Sequence, residues 1–483
     1  MPSILGANTL SSGFDVANSA RFNDGDSAYM NLTSVNTVTN RLKFTISLWV
    51  KRSTLGAKSM IGTVGGDNSN FGAIWFDSND KLNCTEGSGG GELNFITNRV
   101  FRDVSAWYHI VLAIDTTQGT ESNRVKIYVN GVQETSFGTS TYPSQNSNMH
   151  LNRGGKAQYL GRHTDSSNDY YFDGYMAEVV WIDGSQEAVT SFGEFDEDSG
   201  IWKPIDVSGL TFGNNGFYLD FEDSANLGND VNGGTDWTET NFAATDQSTD
   251  TCTNNFCTVN ALDSISTGGT FSEGNTTVQS TTSNRGIFTG TFGLSSGKWY
   301  WEIKTSASAG THASDEWNFI GVSNLPASNT DNILASSGTN SNKLYEYAIH
   351  GYDGDFYNNA SDETYGASFT TGDIIGVFLD LDNNRIYWSK NGSWADGSGN
   401  SDEADPNGFK SVTDPASTIG GFYFPACGDG GTNVNKTWQW NFGGTPGFAI
   451  SSGNNDPNGY GNFEYPTEGA YAICSKNLAE YGG

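Results

Sequence analysis

Phe378 to Trp394 reads FLDLDNNRIYWSKNGSW, and whether this run holds a cation or turns a hairpin decides how the second half of the chain folds. Asp380, Asp382 and Asn384 reproduce the first three oxygen ligands of an EF-hand loop, which places hard donors at alternate positions. The match ends there. The sixth position is Arg385, where the sharp turn needs glycine, and the twelfth is Asn391, where the loop needs a bidentate glutamate. A strand pattern fits better: Val377, Leu379 and Leu381 alternate with Phe378, Asp380 and Asp382, the Asp382-Asn383-Asn384 run makes a tight connection, and Ile386, Tyr387 and Trp388 resume the strand. The segment is therefore expected to be two paired strands, with its aspartates serving solvent exposure and the turn.

The whole composition asks for more of the same. A chain of 483 residues has room for two or three domains, and its 61 glycines, 13% aromatic and 16% charged residues suit many short strands joined by turns. The 13 Trp, 21 Tyr and 29 Phe are spread along the chain, where they can anchor cores and argue against disorder. With 24 basic and 55 acidic residues the formal charge is -31 and the pI about 4.2, which excludes nucleic-acid binding through phosphates and fits a solvated acidic surface. The cysteines, Cys84, Cys252, Cys257, Cys427 and Cys474, are odd in number and lack zinc-like spacing, so reduced thiols are expected, with a Cys252–Cys257 pair left open. The start MPSILGANTLSSGF has no basic n-region and no apolar stretch of about 7 to 15 residues, so no secretory signal is expected. No window approaches the roughly 18 apolar residues of a membrane span.

Five segments follow from composition and periodicity: an arm over 1–13, a β-domain over 14–200, a turn-rich bridge over 201–265, a second β-domain over 266–450, and a tail over 451–483. In the first domain Phe44, Ile46, Leu48 and Val50 share one strand face, and Asn130-Gly131 marks a hairpin. In the bridge, GFYLDF is one strand able to complete the first sheet.

The series FTISLWVKRS, AWYHIVLAIDTT, RVKIYVNGVQ and YFDGYMAEVVWID resembles the strands of the laminin-G-like, concanavalin A-like jelly-roll family, in that family's order. Trp49, Trp107 and Trp181 are then sheet anchors in the core. From residue 266 the order GKWYWEIK, IGV, GDIIGVFLDLDNNRIYWSKNGSW and a final aromatic strand resembles the SPRY domain. That resemblance implies a compact β-sandwich whose loops recognise peptides or proteins without chemistry of their own. The linker TDTCTNNFCTVN and the ending FEYPTEGAYAICSKNLAEYGG resemble phrases of marine bacteriophage proteins, although Pro commonly stands in such linkers where this chain has Cys252. The expected fold class is all-β: two antiparallel β-sandwich, jelly-roll domains, laminin-G/concanavalin A-like and then SPRY-like.

Residues capable of chemistry are sparse. Glu194, Asp196 and Asp198 in GEFDED have the period-two spacing of paired glycosidase carboxylates, but the surrounding sequence reads as a short helix or loop, so the alternation need not form. His109 lies in a strand and is expected to pack in the sandwich. His150, His163, His312 and His350 lack metal or nucleophile spacing, and GSGGGE has no phosphate-loop lysine. No catalytic residue and no enzyme activity are expected.

Binding is expected at loops that set aromatics beside polar groups, because a sugar face stacks on a ring while its hydroxyls bond amides and carboxylates. One such loop, HTDSSNDYYFDG, offers Asp165, Asn168, Asp169, Tyr170, Tyr171 and Asp173; the other, YEYAIHGYDGDFYNN, offers Tyr345, Tyr347, Tyr352 and Asp355. No cofactor is expected. Ca2+ is the one candidate ion, with Asp165, Asp169 and Asp173 as ligands, since some laminin-G-like domains bind it at a sandwich rim. These resemblances imply a non-enzymatic bacteriophage virion protein, made in the bacterial host cytoplasm, homo-oligomeric, and exposed on a tail or head fibre. Its partners would be other virion proteins and a host-surface glycan or protein. Two alternatives stand beside that reading: a purely architectural capsid decoration or tail component, and a polysaccharide depolymerase.

Overall fold

A computed structural model describes residues 13–33, 37–64, 71–87, 92–164, 169–264, 269–280, 286–307, 318–324, 334–335, 344–429 and 436–482. The described residues form two compact units, divided between Asn254 and Asn255. Strands dominate both, and Ser475–Tyr481 is the one α-helix among the described residues. The all-β class read from alternation and turns is what the chain adopts.

In the first unit two eight-stranded sheets face each other. The first runs Val132–Gln133, Val125–Val129, Trp107–Asp115, Lys43–Arg52, Gly174–Asp183, Ser19–Phe22 and Gln247–Ser248, with Phe217–Leu219 added beside Gly174–Asp183. The second runs Phe137–Thr141, Leu93–Val100, Lys81–Glu86, Gly72–Phe76, Lys58–Val64, Ala157–Leu160, Tyr29–Thr33 and Thr238–Thr240. Phe44, Ile46, Leu48 and Val50 all point into the space between them, against Met30, Ile61, Ile74 and Phe95. The turn at Asn130 and Gly131 has φ of 47° and 77°, the left-handed pair that a two-residue hairpin requires.

The first sheet is covered on its other face as well. Trp49, Trp107, Tyr175 and Trp202 pack there around Cys252, and beside them lie Val111, Ile182, Phe192, Phe212 and Tyr218. Trp181 anchors the space between the sheets, stacked on Phe44, whereas Trp49 and Trp107 anchor this outer layer. Polar residues on the covered face need partners, since burying them unpaired is costly. Lys51 Nζ lies 2.7 Å from Asp250 Oδ2, and the Trp107 indole N–H donates to the other oxygen of Asp250 at 3.1 Å. Trp202 Nε1 donates to His109 Nδ1 at 2.9 Å, which leaves the proton on Nε2, 2.8 Å from Ser47 Oγ. His109 is thus a packed, neutral ring, its pKa lowered by burial to about 3.

At the rim of this unit Asp183 ties three loops together. One of its oxygens accepts the Thr39 and Asn215 N–H groups at 2.6 and 3.0 Å; the other accepts Asn40 N–H at 3.1 Å and the Asn152 amide at 2.7 Å.

The second unit pairs a seven-stranded with a ten-stranded sheet. FLDLDNNRIYWSKNGSW lies in the latter as the hairpin Ile374–Asp380 with Arg385–Lys390, Asp380 opposite Arg385 and Phe378 opposite Tyr387. Asn384 takes a φ of 55° at the turn, which asparagine tolerates better than most residues. Asp380 accepts both the backbone and side-chain N–H groups of Asn383, at 3.1 and 2.8 Å, and Asp382 accepts Gly297 N–H at 2.9 Å. The aspartates serve the turn, but Asp380 is buried, contrary to the solvent exposure expected of it. Val377 and Leu379 enter the main core; Phe378 faces the other way with Tyr300, Tyr387 and Trp394.

The tail covers that second face through Phe463, Ala470 and Ala472. It also reaches the start of the unit: Cys257 N–H donates to Ile473 O at 2.9 Å, and Ser475 and Asn255 exchange bonds of 2.8 Å. Glu302 pins the tail from below, accepting the Glu464 and Tyr465 N–H groups at 2.9 and 2.8 Å. All five cysteines are buried free thiols, Cys252 and Cys257 included.

Candidate functional site

Outward positions on the second sheet of the first unit carry aromatic rings. Met30 and Leu160 point into the core, so their neighbours Tyr29 and Tyr159 point out, with rings 5.9 Å apart; Trp75 projects likewise between Ile74 and Phe76. After Leu160 the chain leaves the sheet at Gly161, with φ of 77°, and forms the hairpin Arg162–Thr164 with Asp169–Tyr171. That hairpin lies back over Lys58–Val64 so closely that a Cβ at Gly62 would come within 2.6 Å of the Arg162 carbonyl. Glycine at 62 is what lets the hairpin bring its own rings, His163, Tyr170 and Tyr171, to those of the sheet.

Arg162 sits at the centre. Its guanidinium carbon is 4.7, 5.4 and 5.8 Å from the ring centroids of Tyr29, Tyr159 and Tyr171, and Nη2 is 3.2 and 3.1 Å from the two oxygens of Asp169. Burial opposes its charge, but the Asp169 bonds prevail and hold the pKa above the usual value. Alongside, Tyr170 stacks on His163 at 6.3 Å, Trp75 lies 6.4 Å from Tyr170, and Phe71 lies 5.5 Å from His163. All seven rings, Tyr29, Phe71, Trp75, Tyr159, His163, Tyr170 and Tyr171, are half-buried, each leaving part of its surface to solvent. Such a surface offers flat apolar faces beside a guanidinium, a carboxylate and phenol hydroxyls, a combination suited to holding a flat hydroxylated ligand.

Of the residues proposed from the loop sequence, Asp169, Tyr170 and Tyr171 lie on this platform. Asp165 and Asn168 fall outside the described residues. Asp173 is elsewhere, 1% exposed, with its carbonyl accepting Ser53 N–H at 3.0 Å. As Ca2+ ligands the described pair fits poorly, because Asp169 gives both oxygens to Arg162 and Asp173 is buried. Among the described residues no group of three His, Cys, Asp or Glu is placed to hold a metal ion. The loop reading missed Tyr29, Trp75 and Tyr159, whose signal was an aromatic at an outward strand position, and Arg162, which directly follows the strand of Tyr159.

In the second unit the four residues proposed do not make one surface. Tyr347 is buried at 5% exposure in a strand, its hydroxyl 3.0 Å from Thr413 Oγ1, and Tyr345 packs half-buried on the core. Tyr352 is open at 58%. Asp355 is half-buried, its carboxyl raised by burial and by Asp353 and Asp362. The GEFDED run is a strand only over Gly193–Phe195, and Lys203 Nζ holds both Glu194 and Asp196, at 3.4 and 3.1 Å.

Two antiparallel β-sandwiches, one with an aromatic platform, fit a binding role. Comparison with known proteins gives each half its family. Residues 24–188 match the concanavalin A-like lectin/glucanases superfamily and residues 298–409 match the SPRY domain, so the chain contains a domain of each. Ran-binding protein 9 of Danio rerio is 40% identical over 65 residues, 12% of this chain and 11% of that protein. The Ran-binding proteins 9/10 homolog of Drosophila melanogaster is 45% identical over 47 residues, 10% and 5% of the two chains. This chain thus spans about a tenth or less of the curated relatives it matches. Among solved structures, the SPRY domain of human HERC1 is 17% identical, covering 38% of this chain and 96% of that one, with a TM-score of 0.26. A putative carbohydrate binding protein from Bacteroides ovatus is also 17% identical, covering 47% and 59%, with a TM-score of 0.32. No described helix is long and apolar enough to cross a membrane.

Proposed function

We propose that the chain is a non-enzymatic recognition protein whose concanavalin A-like sandwich holds a glycan on the tyrosine platform, while its SPRY sandwich engages a protein. The observation that carries the reading is the gathering of Tyr29, Tyr159 and Tyr171 around the Arg162–Asp169 pair, with His163, Tyr170, Trp75 and Phe71 packed alongside, all seven rings half-buried. Sugar rings stack on such faces, and their hydroxyls bond the flanking charged groups. A depolymerase is disfavoured by the engagement of Glu194 and Asp196 with one lysine, which leaves no acid and base apart from each other. The likeness of TDTCTNNFCTVN and of the tail to marine bacteriophage phrases supports display on a virion, as a homo-oligomer among other virion proteins, with the ligand on a host surface.

The test is binding of the full chain to a glycan array that includes bacterial envelope polysaccharides, with Tyr159→Ala and Trp75→Ala as variants. Both sites are half-exposed, so the fold should survive. Binding should weaken at least about ten-fold in each variant, the scale of one lost stacking contact with its burial. No binding to any glycan, or binding indifferent to both substitutions, would overturn the platform reading. Mass spectrometry of purified particles addresses the virion part separately.

A further inference from the structure

At the flank of the first unit, away from the tyrosine platform, the sandwich has an opening of its own. Val125–Val129, which carries only the two-residue edge strand Val132–Gln133 outside it, and Phe137–Thr141 at the edge of the other sheet are not paired with each other, and the link Glu134–Ser136 crosses between them like an arch. Its form is fixed at several points: Glu134 N–H donates to Ile127 O at 2.8 Å and Ser136 O accepts Asn98 N–H at 3.0 Å. The Glu134 carboxylate accepts Ser136 N–H at 3.0 Å and Arg99 Nε at 2.9 Å. Under the arch lies a cavity of about 310 Å³. Its floor is the edge of the core, Phe95, Val125 and Ile127; Phe137 and Tyr142 stand beside it, edge-to-face with Phe95 at 5.1 and 4.9 Å.

The lining restricts what can enter. A volume at the lower end of the range for ligand pockets, about 300–1,000 Å³, admits roughly one ring. Among the lining residues there is no Lys, Arg or His to hold an anion, and the one charged group, Glu134, is a carboxylate 7% exposed whose charge Arg99 balances. The mouth carries only hydroxyls and an amide, from Ser122, Thr135, Ser140 and Gln133. Glu134 Oε2 accepts Arg99 Nε and retains capacity for a further hydroxyl donor. Apolar floor, aromatic sides, hydroxyl and amide rim, and one buried carboxylate together describe the surroundings that an uncharged ring with apolar faces and hydroxyl edges requires.

We infer that this flank cavity is a second binding site, taking a single neutral pyranose residue, independent of the platform. The two sites would let one unit engage a glycan at two points, which raises the effective affinity of weak individual contacts.

The experiment is saturation-transfer NMR of the full chain with methyl glucopyranoside, galactopyranoside, mannopyranoside and N-acetylglucosaminide, followed by titration. Ser140→Trp closes the mouth from an exposed position and should not disturb folding, which thermal denaturation verifies; Tyr159→Ala disables the platform. A monosaccharide should bind with Kd in the range of about 1–10 mM. Ser140→Trp should weaken it at least ten-fold while Tyr159→Ala leaves it unchanged. Three results overturn the inference: no pyranoside binding up to about 50 mM; loss in Tyr159→Ala with none in Ser140→Trp; or loss in both. The second of these would leave the platform reading standing and remove only the cavity.

Discussion

Replacing Asp183 by alanine removes the acceptor for four donors at once, and the structure sets the size of the effect. The bonds from Asn215 N–H and the Asn152 amide are buried, at 3.0 and 2.7 Å, so their donors would be left without an acceptor, at about 1–2 kcal/mol each. The bonds from Thr39 and Asn40 are only part-buried, so water can replace the carboxylate there and each loses about 0.5–1 kcal/mol. The total is about 4 kcal/mol. In urea, with a slope of about 3 kcal/mol/M for a unit of this size, the midpoint of the first unit should fall by about 1.3 M. The assay is tryptophan fluorescence of the full chain, in which the two units are expected to give separate transitions. Only one transition should move, and substitutions in the second unit identify which. Asp183→Asn should be nearly as damaging, because its NH2 would face N–H donors. A midpoint shift below about 0.3 M for Asp183→Ala would refute the account of the carboxylate as the tie between the three loops.

Other outcomes follow from single contacts. Lys51→Met strands the Asp250 carboxylate in the outer layer, 1% exposed, and should cost about 3–5 kcal/mol by the same urea measurement. Glu178 is buried, and burial first, with Asp220 and Glu222 nearby, pushes its carboxyl up to about 8. The folded chain therefore keeps a proton that the unfolded chain releases at the ordinary carboxylate value. That stabilisation is full below the ordinary value and is lost as pH rises through about 8, so Glu178→Gln should flatten the fall in melting temperature between about pH 5 and 9. Phe463→Ala, in the tail, should cost about 3–5 kcal/mol in the second unit and expose Tyr300 and Trp394 to dye binding. Gly62→Ala should displace the Arg162 hairpin and weaken glycan binding, with little change in the melting of the second unit.

Fold class was legible because both signals behind it are local. Alternation placed Phe44, Ile46, Leu48 and Val50 on the core face, and the Asn-rich turn after Leu381 joins two paired strands as expected. What alternation cannot show is whether the other face of a strand is open. Trp49 and Lys51 occupy positions that would face water in a two-layer sandwich, and their cover comes from residues about 150 and 200 places away, Trp202 and Asp250. The platform failed for the same reason. Tyr29, Trp75 and Tyr159 each look like ordinary outward residues; only the pairing of Tyr29–Thr33 with Ala157–Leu160, and of Ala157–Leu160 with Gly72–Phe76 through Lys58–Val64, brings them onto one face. Tyr347 was misjudged as part of a loop, because its stretch is a strand buried on both faces.

The meeting of Asn255–Cys257 with Ile473–Ser475 ties the entrance of the SPRY unit to the start of its closing helix, Ser475–Tyr481. A host protein could receive the unit in a surface loop with little stretching of its own backbone, since that helix adds only about 10 Å between the meeting point and residue 482. The same arrangement suits genetic transplantation, because grafting residues 255–482 between loop ends joined by a short linker on the helix side should carry the fold intact. Permuted chains that join the old ends and open at an exposed turn such as Asp396–Asn400 should fold too.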